Sequence, residues 1–339
     1  MKKTIALLLA LILALGLLGC SSTQTPPSEK GSSEEDSNVN YPDGKTISIM
    51  VGYGAGGVND LACRVIAPYL AKELDTNVEV VNMPGAGGWV QILDLINNTK
   101  PDGYTIGIYA DGMQMSRHSA GAHYDEGMDD MTLLCSYASD TCSLACKPDE
   151  TRWTDIDSLI EYAKENVVTV SVTALEGEDS IPVAMMNSQL GTKFELVLAT
   201  DGATQGIANV MGGHVDIVSD NIAALNNNVQ DGSLKALCVF SKEESPLWEG
   251  VTTFKEATGV EITFQNTRGF SAPAGMDPAV LEILSNALEA AVTNPDCIAE
   301  LNGLGLNNAY LNGEDFYQRC AETEELAMGI AQSLGWDWY

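Results

Sequence analysis

Two glycine-rich turns hold the residues whose types and spacing point most directly to chemistry. The first, Gly52-Tyr53-Gly54-Ala55-Gly56-Gly57, follows the strand-like residues 46–51 and leads into Val58-Asn59-Asp60, the expected opening of a helix. The second, Asn82-Met83-Pro84-Gly85-Ala86-Gly87-Gly88, follows the strand-like residues 78–81 and leads into Trp89. Glycine lets the backbone reach positive φ and lets a ligand approach the main chain closely. A helix that starts there aims free N–H groups and its positive dipole end at the same spot, which favours an anion. The pattern points to a carboxylate or phosphate site built largely from backbone. The first turn also satisfies G-x-G-x-x-G between a strand and a helix, the context of a dinucleotide fingerprint. The partner of that fingerprint is an acid at the end of the second strand, which holds a ribose. Here the strand ends Val81-Asn82, with Glu79 inside it. An extracytoplasmic dinucleotide-binding enzyme is thus an alternative that lacks its partner residue.

Little else resembles an active site. No G-x-S-x-G elbow, Walker loop or H-E-x-x-H zinc helix occurs in the chain. His118, His123 and His214 are scattered, and the first two sit in a polar stretch where they are expected at the surface. Asp220-Asn221 follows the strand-like residues 215–219, where it can cap the next helix or meet a ligand. Setting aside Cys20, which belongs to the N-terminal segment, seven of the eight cysteines remain, so at least one is unpaired within the chain. If residues 133–147 form a hairpin, Cys135 and Cys146 can face each other across it. Buried free thiols acting as small hydrophobes are the expectation for most of the seven. Neither a metal nor a cofactor is expected, and the chain reads as a binding protein rather than an enzyme.

The N-terminus indicates the compartment. Met1-Lys2-Lys3 precedes an apolar run over residues 5–18. That run is shorter than the ~20 residues a spanning helix needs, so residues 1–19 read as a signal peptide. Leu17-Leu18-Gly19-Cys20 resembles the bacterial lipoprotein cleavage box, with Cys20 as the lipidated first residue of the mature protein. Residues 20–40 lack an apolar period and read as a disordered tether. Roughly 300 residues remain, enough for two domains at ~100–200 residues each. The net charge of −30 argues against nucleic acid as a partner. It does not exclude a small anion, because helix dipoles can reverse the field inside a cleft.

The elements that must position the turns alternate. Residues 46–109 read as strand, turn, helix, strand, turn, helix, strand. The helix expected over 59–74 has Asn59 as its N-cap and an apolar face of Leu61, Val65, Ile66, Tyr69 and Leu70. Residues 112–130 look irregular, and 131–139 and 143–147 look like two separate strands. A helix is expected over 155–166. A second alternating block spans 167–240, and helices are expected over 277–294 and 313–334. Such alternation implies parallel sheets with ligands at the C-terminal ends of the strands.

These residues resemble the solute-binding receptors of tripartite tricarboxylate transporters, the Bug-type family. The resemblance runs over about 290 residues through Tyr41-Pro42-Asp43, Gly54-Ala55-Gly56-Gly57 with Asp60 and Arg64, and the second glycine turn. It continues in Pro101-Asp102-Gly103-Tyr104-Thr105, Met211-Gly212-Gly213-His214-Val215-Asp216, Asp220-Asn221, Gly232-Ser233-Leu234-Lys235-Ala236-Leu237 and Ala272-Pro273-Ala274-Gly275. It implies an α/β, two-lobed periplasmic-binding-protein-like (type II) fold with a ligand cleft between lobes. Lobe 1 would hold residues 41–140 plus 262–339, and lobe 2 residues 141–261. The matching ligand-binding positions are Tyr53, Gly57, Val58, Asn59, Asp60 and Gly112 in the first lobe. In the second they are Thr173, Ala174, Ser180, Asp201, Gly202, Asp220 and Asn221. The implied partners are a small organic acid and the membrane subunits of a transporter, met by a lipid-anchored, monomeric receptor; a membrane sensor kinase is the alternative partner.

The chain departs from the family in ways that bear on the ligand. A serine–alanine–glycine–asparagine–glycine run followed by a histidine is replaced by Thr173-Ala174-Leu175-Glu176-Gly177-Glu178-Asp179-Ser180-Ile181. A tyrosine, lysine and glycine after the next strand are replaced by Thr200-Asp201-Gly202. Three added acids and a lost lysine disfavour a citrate-like trianion. They leave a monocarboxylate, a dicarboxylate or an amino-acid-like ligand, unless Glu176, Glu178 and Asp179 simply face water.

Overall fold

The computed structural model of the protein describes residues 39–118, 124–200 and 202–338. β1 (Ile47–Val51), β2 (Val78–Asn82) and β3 (Thr105–Ala110) are parallel in the order β2-β1-β3. Each leads into a helix: α1 (Val58–Glu73), α2 (Trp89–Asn98) and α3 (Asp111–Ser116). The arrangement recurs in β5 (Val168–Val172), β6 (Phe194–Leu198) and β7 (Ile217–Asn221), parallel in the order β7-β5-β6. These lead into α5 (Ile181–Leu190), α6 (Ala203–Met211) and α7 (Ile222–Gln230).

Two long antiparallel strands join the halves. In β4 (Met131–Cys146), residues 131–141 pair with β9 (Gln265–Pro273), and residues 142–146 pair with β7 and β8 (Lys235–Val239). β9 in turn pairs with β3. α4 (Ile156–Glu165) and α8 (Phe254–Thr258) cover the second half. α9 (Pro278–Val292) and α10 (Pro295–Gly303) cover the first, and β10 (Asn307–Asn308) adds to β4. α11 (Gly313–Leu334) starts against the first half through Phe316 and Cys320, and its later residues Ala327 and Ile330 join the core of the second.

The strands are apolar on both faces because helices cover both faces. In the first half Ile47, Ile49 and Ile106 pack on Ile66 and Leu70 of α1 and on Leu284 and Leu288 of α9. In the second, Val168 and Val170 pack on Leu159 and Phe254, while Val218 on another face meets Ile207, Val210 and Leu225.

Several expectations need correction. Residues 131–146 form one strand, not two, because Ser139, Asp140 and Thr141 stay extended and pair with β9. No hairpin forms, and Cys135 and Cys146 stand roughly 36 Å apart at ~3.3 Å per residue. All seven cysteines among the described residues are free and buried, as expected for small hydrophobes. α1 begins one residue early, with Gly57 rather than Asn59 as N-cap, since the Asn59 amide is engaged elsewhere. Its buried face runs through Ala62, Cys63, Ile66, Ala67 and Leu70, and this leaves Leu61 exposed. Residues 112–130 are not wholly irregular; they include most of α3 and a 3-10 turn at Met128–Asp130. β7 extends to Asn221, so Asp220 and Asn221 end a strand. Asn294 stops α9 and caps α10, accepting from the Asp296 and Cys297 N–H groups.

The two glycine turns pack on each other. A Cβ on Gly52 would stand 2.7 Å from Gly88 Cα and 2.9 Å from Gly88 O, both backbone atoms that cannot swing aside. Gly88 itself has φ +100°, and a Cβ there would collide with Met113. The second turn therefore buttresses the first. Gly52→Ala is expected to destabilise the fold by ~1–3 kcal/mol through overpacking, read as a lower urea midpoint with unchanged slope.

Candidate functional site

Parallel strands bring the starts of their helices to one edge of each half. None of the six helices that start at these edges is capped by the side chain of its own N-cap residue. Gly57, Gly88, Ala110, Ser180, Gly202 and Asn221 occupy the N-cap positions of α1, α2, α3, α5, α6 and α7, and none accepts a helix N–H through its side chain. The five other helices are capped by the side chains of Asp155, Thr253, Asp277, Asn294 and Asn312. A side-chain cap is worth about 1 kcal/mol. At α1 and α6 its absence leaves first-turn N–H donors open, whereas the Gly112 N–H of α3 goes to Asn266 and the Ala223 N–H of α7 to Asp140.

The two edges meet at Glu178, on the turn between β5 and α5. One carboxylate oxygen accepts from Asn221 Nδ2 at 2.8 Å. The other lies 2.6 Å from where a Cβ on Gly112 would stand, so a first-half backbone without a side chain makes room for a second-half acid. Asn266 of β9 steadies the contact, accepting from the Gly112 N–H at 3.3 Å. Burial raises the Glu178 pKa, opposed by the Arg268 charge.

In the first half, the Tyr53 hydroxyl donates to Gly87 O at 3.1 Å. Burial, aided by the Glu178 charge, pushes its phenol up to about 12. Gly57 and Val58 form the open start of α1. Asn59 Oδ1 accepts from Arg268 Nη1 at 3.0 Å. Asp60 holds the loop together: it accepts from Gly56 N at 2.8 Å, Arg64 Nε at 3.0 Å and Asn82 Nδ2 at 2.9 Å. Asn82 thus stands where a dinucleotide site would need an acid, and it serves the loop instead, donating also to Tyr53 O.

In the second half, Thr173 donates through its N–H and Oγ1 to Asp179, which closes the turn. Ser180 Oγ accepts from Gly177 N at 2.8 Å and donates to Gly177 O at 3.0 Å, with Ala174 packed against the same glycine. Gly202 has φ +83° and opens α6. Asp220 accepts from the Asn221 N–H at 2.7 Å. Asn221 turns its amide to Glu178 instead of capping α7. Asp201 and Cys20 lie outside the described residues.

Several buried groups at this junction had no motif to mark them. Arg268 is the one Lys or Arg fully buried among the described residues. Besides Asn59, it faces Asp140 Oδ2 at 3.7 Å. Asp140 Oδ2 also accepts from the Ala223 N–H at 3.2 Å and so takes the role at the start of α7 that Asp220-Asn221 was expected to fill. Asp111 accepts from Thr267 N at 2.9 Å and ties α3 to β9. The available cue was a lone arginine within the strand-like run Gln265-Asn266-Thr267-Arg268-Gly269-Phe270. Glu178 and Asp179 face inward, and Glu176 accepts from the Trp338 indole. Of the histidines, His214 is exposed and His123 lies outside the described residues. His118 is not a surface residue: its ring pairs with Glu324 and stacks near Trp338.

Two hollows lie away from the turn at Glu178. One, of about 590 Å³, is a groove between α5 and α11 lined by Met185, Gln189, Leu326 and Ile330. The other, of about 540 Å³, lies beside the crossing strands at Thr141, Lys242, Phe264 and Arg319.

Two α/β halves joined by crossing strands, with open helix starts facing each other, define a solute-binding receptor of the periplasmic-binding-protein class. The chain belongs to the tripartite tricarboxylate transporter family receptors, whose family model matches residues 62–335. It is 28% identical over 293 residues to a UPF0065 protein in the gbd 5′ region of Cupriavidus necator, covering 86% of this chain and 88% of that one. A TctC solute-binding protein from Polaromonas, solved without ligand, superposes with a TM-score of 0.69 at 26% identity, covering 86% of this chain and 99% of that one. The R. palustris protein Rpa4515, solved with adipate, has the same fold at a TM-score of 0.79 and 19% identity, covering 86% and 98% of the two chains. The protein is accordingly an extracytoplasmic receptor and not an enzyme.

Burial pushes the Asp111 and Asp179 carboxyls up to about 7. A carboxyl raised on folding stabilises the native state below its unfolded value, ~3.9, and that contribution is lost as pH rises through its folded value. Stability in urea is expected to fall between pH 5 and pH 8, and Asp179→Asn should flatten that slope. A slope of the opposite sign would mean these acids are ionised at no cost.

Proposed function

We propose that the protein captures a small organic acid between residues 41–140 with 262–339 on one side and residues 141–261 on the other. It then delivers the solute to the membrane subunits of a tripartite tricarboxylate-type transporter. The observation that carries this reading is the division of the helices: those starting at the facing edges have no cap from their own N-cap side chain, with α1 and α6 left open, and the rest carry such caps. Open N–H groups at α1 and α6 suit a carboxylate, which accepts from several at once. Tyr53, Gly57, Val58, Asn59, Gly112, Thr173, Ala174, Ser180, Gly202, Asp220 and Asn221 line or shape the space, with Asp60 holding the first loop; Asp201 joins them on the sequence resemblance alone. The adipate on Rpa4515 supports a carboxylate as the class of solute, a mono- or dicarboxylate or an amino-acid-like molecule. Closing of the halves about β4 and β9 would be a hinge motion.

Binding to the native state alone raises stability by ~2.7 kcal/mol at a hundredfold excess over Kd. A thermal-shift screen against carboxylates, amino acids and nucleotides is expected to respond to one carboxylate class. A response to dinucleotides alone would refute the receptor reading of this cleft.

Cys20, in Leu17-Leu18-Gly19-Cys20, supports a lipid anchor that keeps the monomeric receptor at the membrane. Cys20→Ala is expected to release the protein from the membrane fraction on cell fractionation. Unchanged membrane association would rule out that anchor.

A further inference from the structure

Where the halves meet, acids outnumber cations. Glu178, Asp179 and Asp220 approach from the second half and Asp140 from the crossing strand, and each raises the pKa of the Cys142 thiol that lies among them. Arg268 is the only buried counter-charge among the described residues, and Asn59 and Asp140 already engage it.

Two of these acids keep acceptor atoms without partners. Asp179 is 1% exposed, and while its Oδ2 takes both Thr173 donors, its Oδ1 has no hydrogen bond. Glu178 Oε2, the oxygen beside Gly112, is likewise buried without a well-formed hydrogen bond, its nearby donor being the Asn266 amide. A buried acceptor left unpaired costs ~1–3 kcal/mol, and more if charged. Such atoms at the junction can accept from a donor that arrives with the solute. No group of these side chains has the arrangement of a metal site among the described residues.

We infer, building on the proposed receptor role, that Glu178 and Asp179 select a solute carrying an ammonium group beside its carboxylate, an α-amino acid in preference to a plain mono- or dicarboxylate. The carboxylate lies against the open start of α1, and the ammonium donates to Glu178 Oε2 and Asp179 Oδ1. The cation also offsets the excess of acids, whose pKa values burial and their neighbours' charges raise. A plain dicarboxylate would add negative charge where four acids already converge and leave both acceptors unpaired.

The test is calorimetric titration of the purified full chain with matched pairs: glutamate and glutarate, aspartate and succinate, alanine and propionate. The amine-bearing member of the binding pair is expected to be tighter by at least roughly 100-fold, as for sites built around a donor the analogue lacks. Glu178→Gln keeps the side chain's size and can still accept from Asn221. It is expected to cut that preference by about tenfold or more, the scale of a charged hydrogen bond, without lowering the melting temperature. Equal or tighter binding of the amine-free member would overturn the inference and leave the receptor reading intact. Tighter binding of both members by Glu178→Gln, with the ratio unchanged, would show that Glu178 merely obstructs the cleft. Binding of none of the six, by either protein, would count against the receptor reading as well.

Discussion

The junction of the two halves depends on one buried guanidinium. Arg268 lies on β9, the crossing strand that pairs with both β3 and β4. It reaches Asn59 at the start of α1 on one side and Asp140 on the other, and Asp140 in turn holds the first-turn Ala223 N–H of α7. One polar chain therefore runs from a first-half helix start to a second-half helix start through the strands that connect them. Removing one member of a buried ion pair typically costs ~3–5 kcal/mol, because the other charge is left without compensation. The arrangement is sensitive for the same reason: any change in the charge near Glu178 is felt by Arg268, and through it by both helices.

Around that chain, stability and binding are allotted to different places. The helices away from the junction have ordinary side-chain caps, and the apolar contacts of α1, α9 and α10 stabilise the first half. The glycine turns are held rigid by Asp60, Asn82 and the close approach of Gly52 to Gly88. Rigid loops can keep donors and acceptors unpaired without collapsing onto them. This is the physical sense in which a receptor is preorganised, since a flexible loop would satisfy those groups itself and raise the ordering cost of binding.

Much of this was legible in the sequence, and the rest failed for identifiable reasons. The strand–turn–helix alternation over 46–109 and 167–240 was strong because parallel strands and amphipathic helices differ in period. β5 to β8 and α5 to α7 all fall within the second block read over 167–240. The single strand β4 was missed because Ser139, Asp140 and Thr141 look like turn residues, yet in the fold they pair with β9 and serve Arg268 and α7. α3 was missed because six residues carry too little periodic signal. The glycine-turn and strand-end residues were found through local patterns, whereas Arg268, Asp140 and Asn266 act only through partners far away in the chain. The inward turn of Glu178 was likewise illegible, since nothing local tells an acid facing water from one facing Gly112.

The most direct test of where solute binds is a crystal structure of the protein with its tightest-binding carboxylate. The expected result is a carboxylate within hydrogen-bonding distance of the Val58 or Asn59 N–H, enclosed between Tyr53 and Asn221, with Glu178 Oε2 now paired. Solute in the groove between α5 and α11 or in the hollow beside the crossing strands, with the junction at Glu178 unchanged, would contradict it.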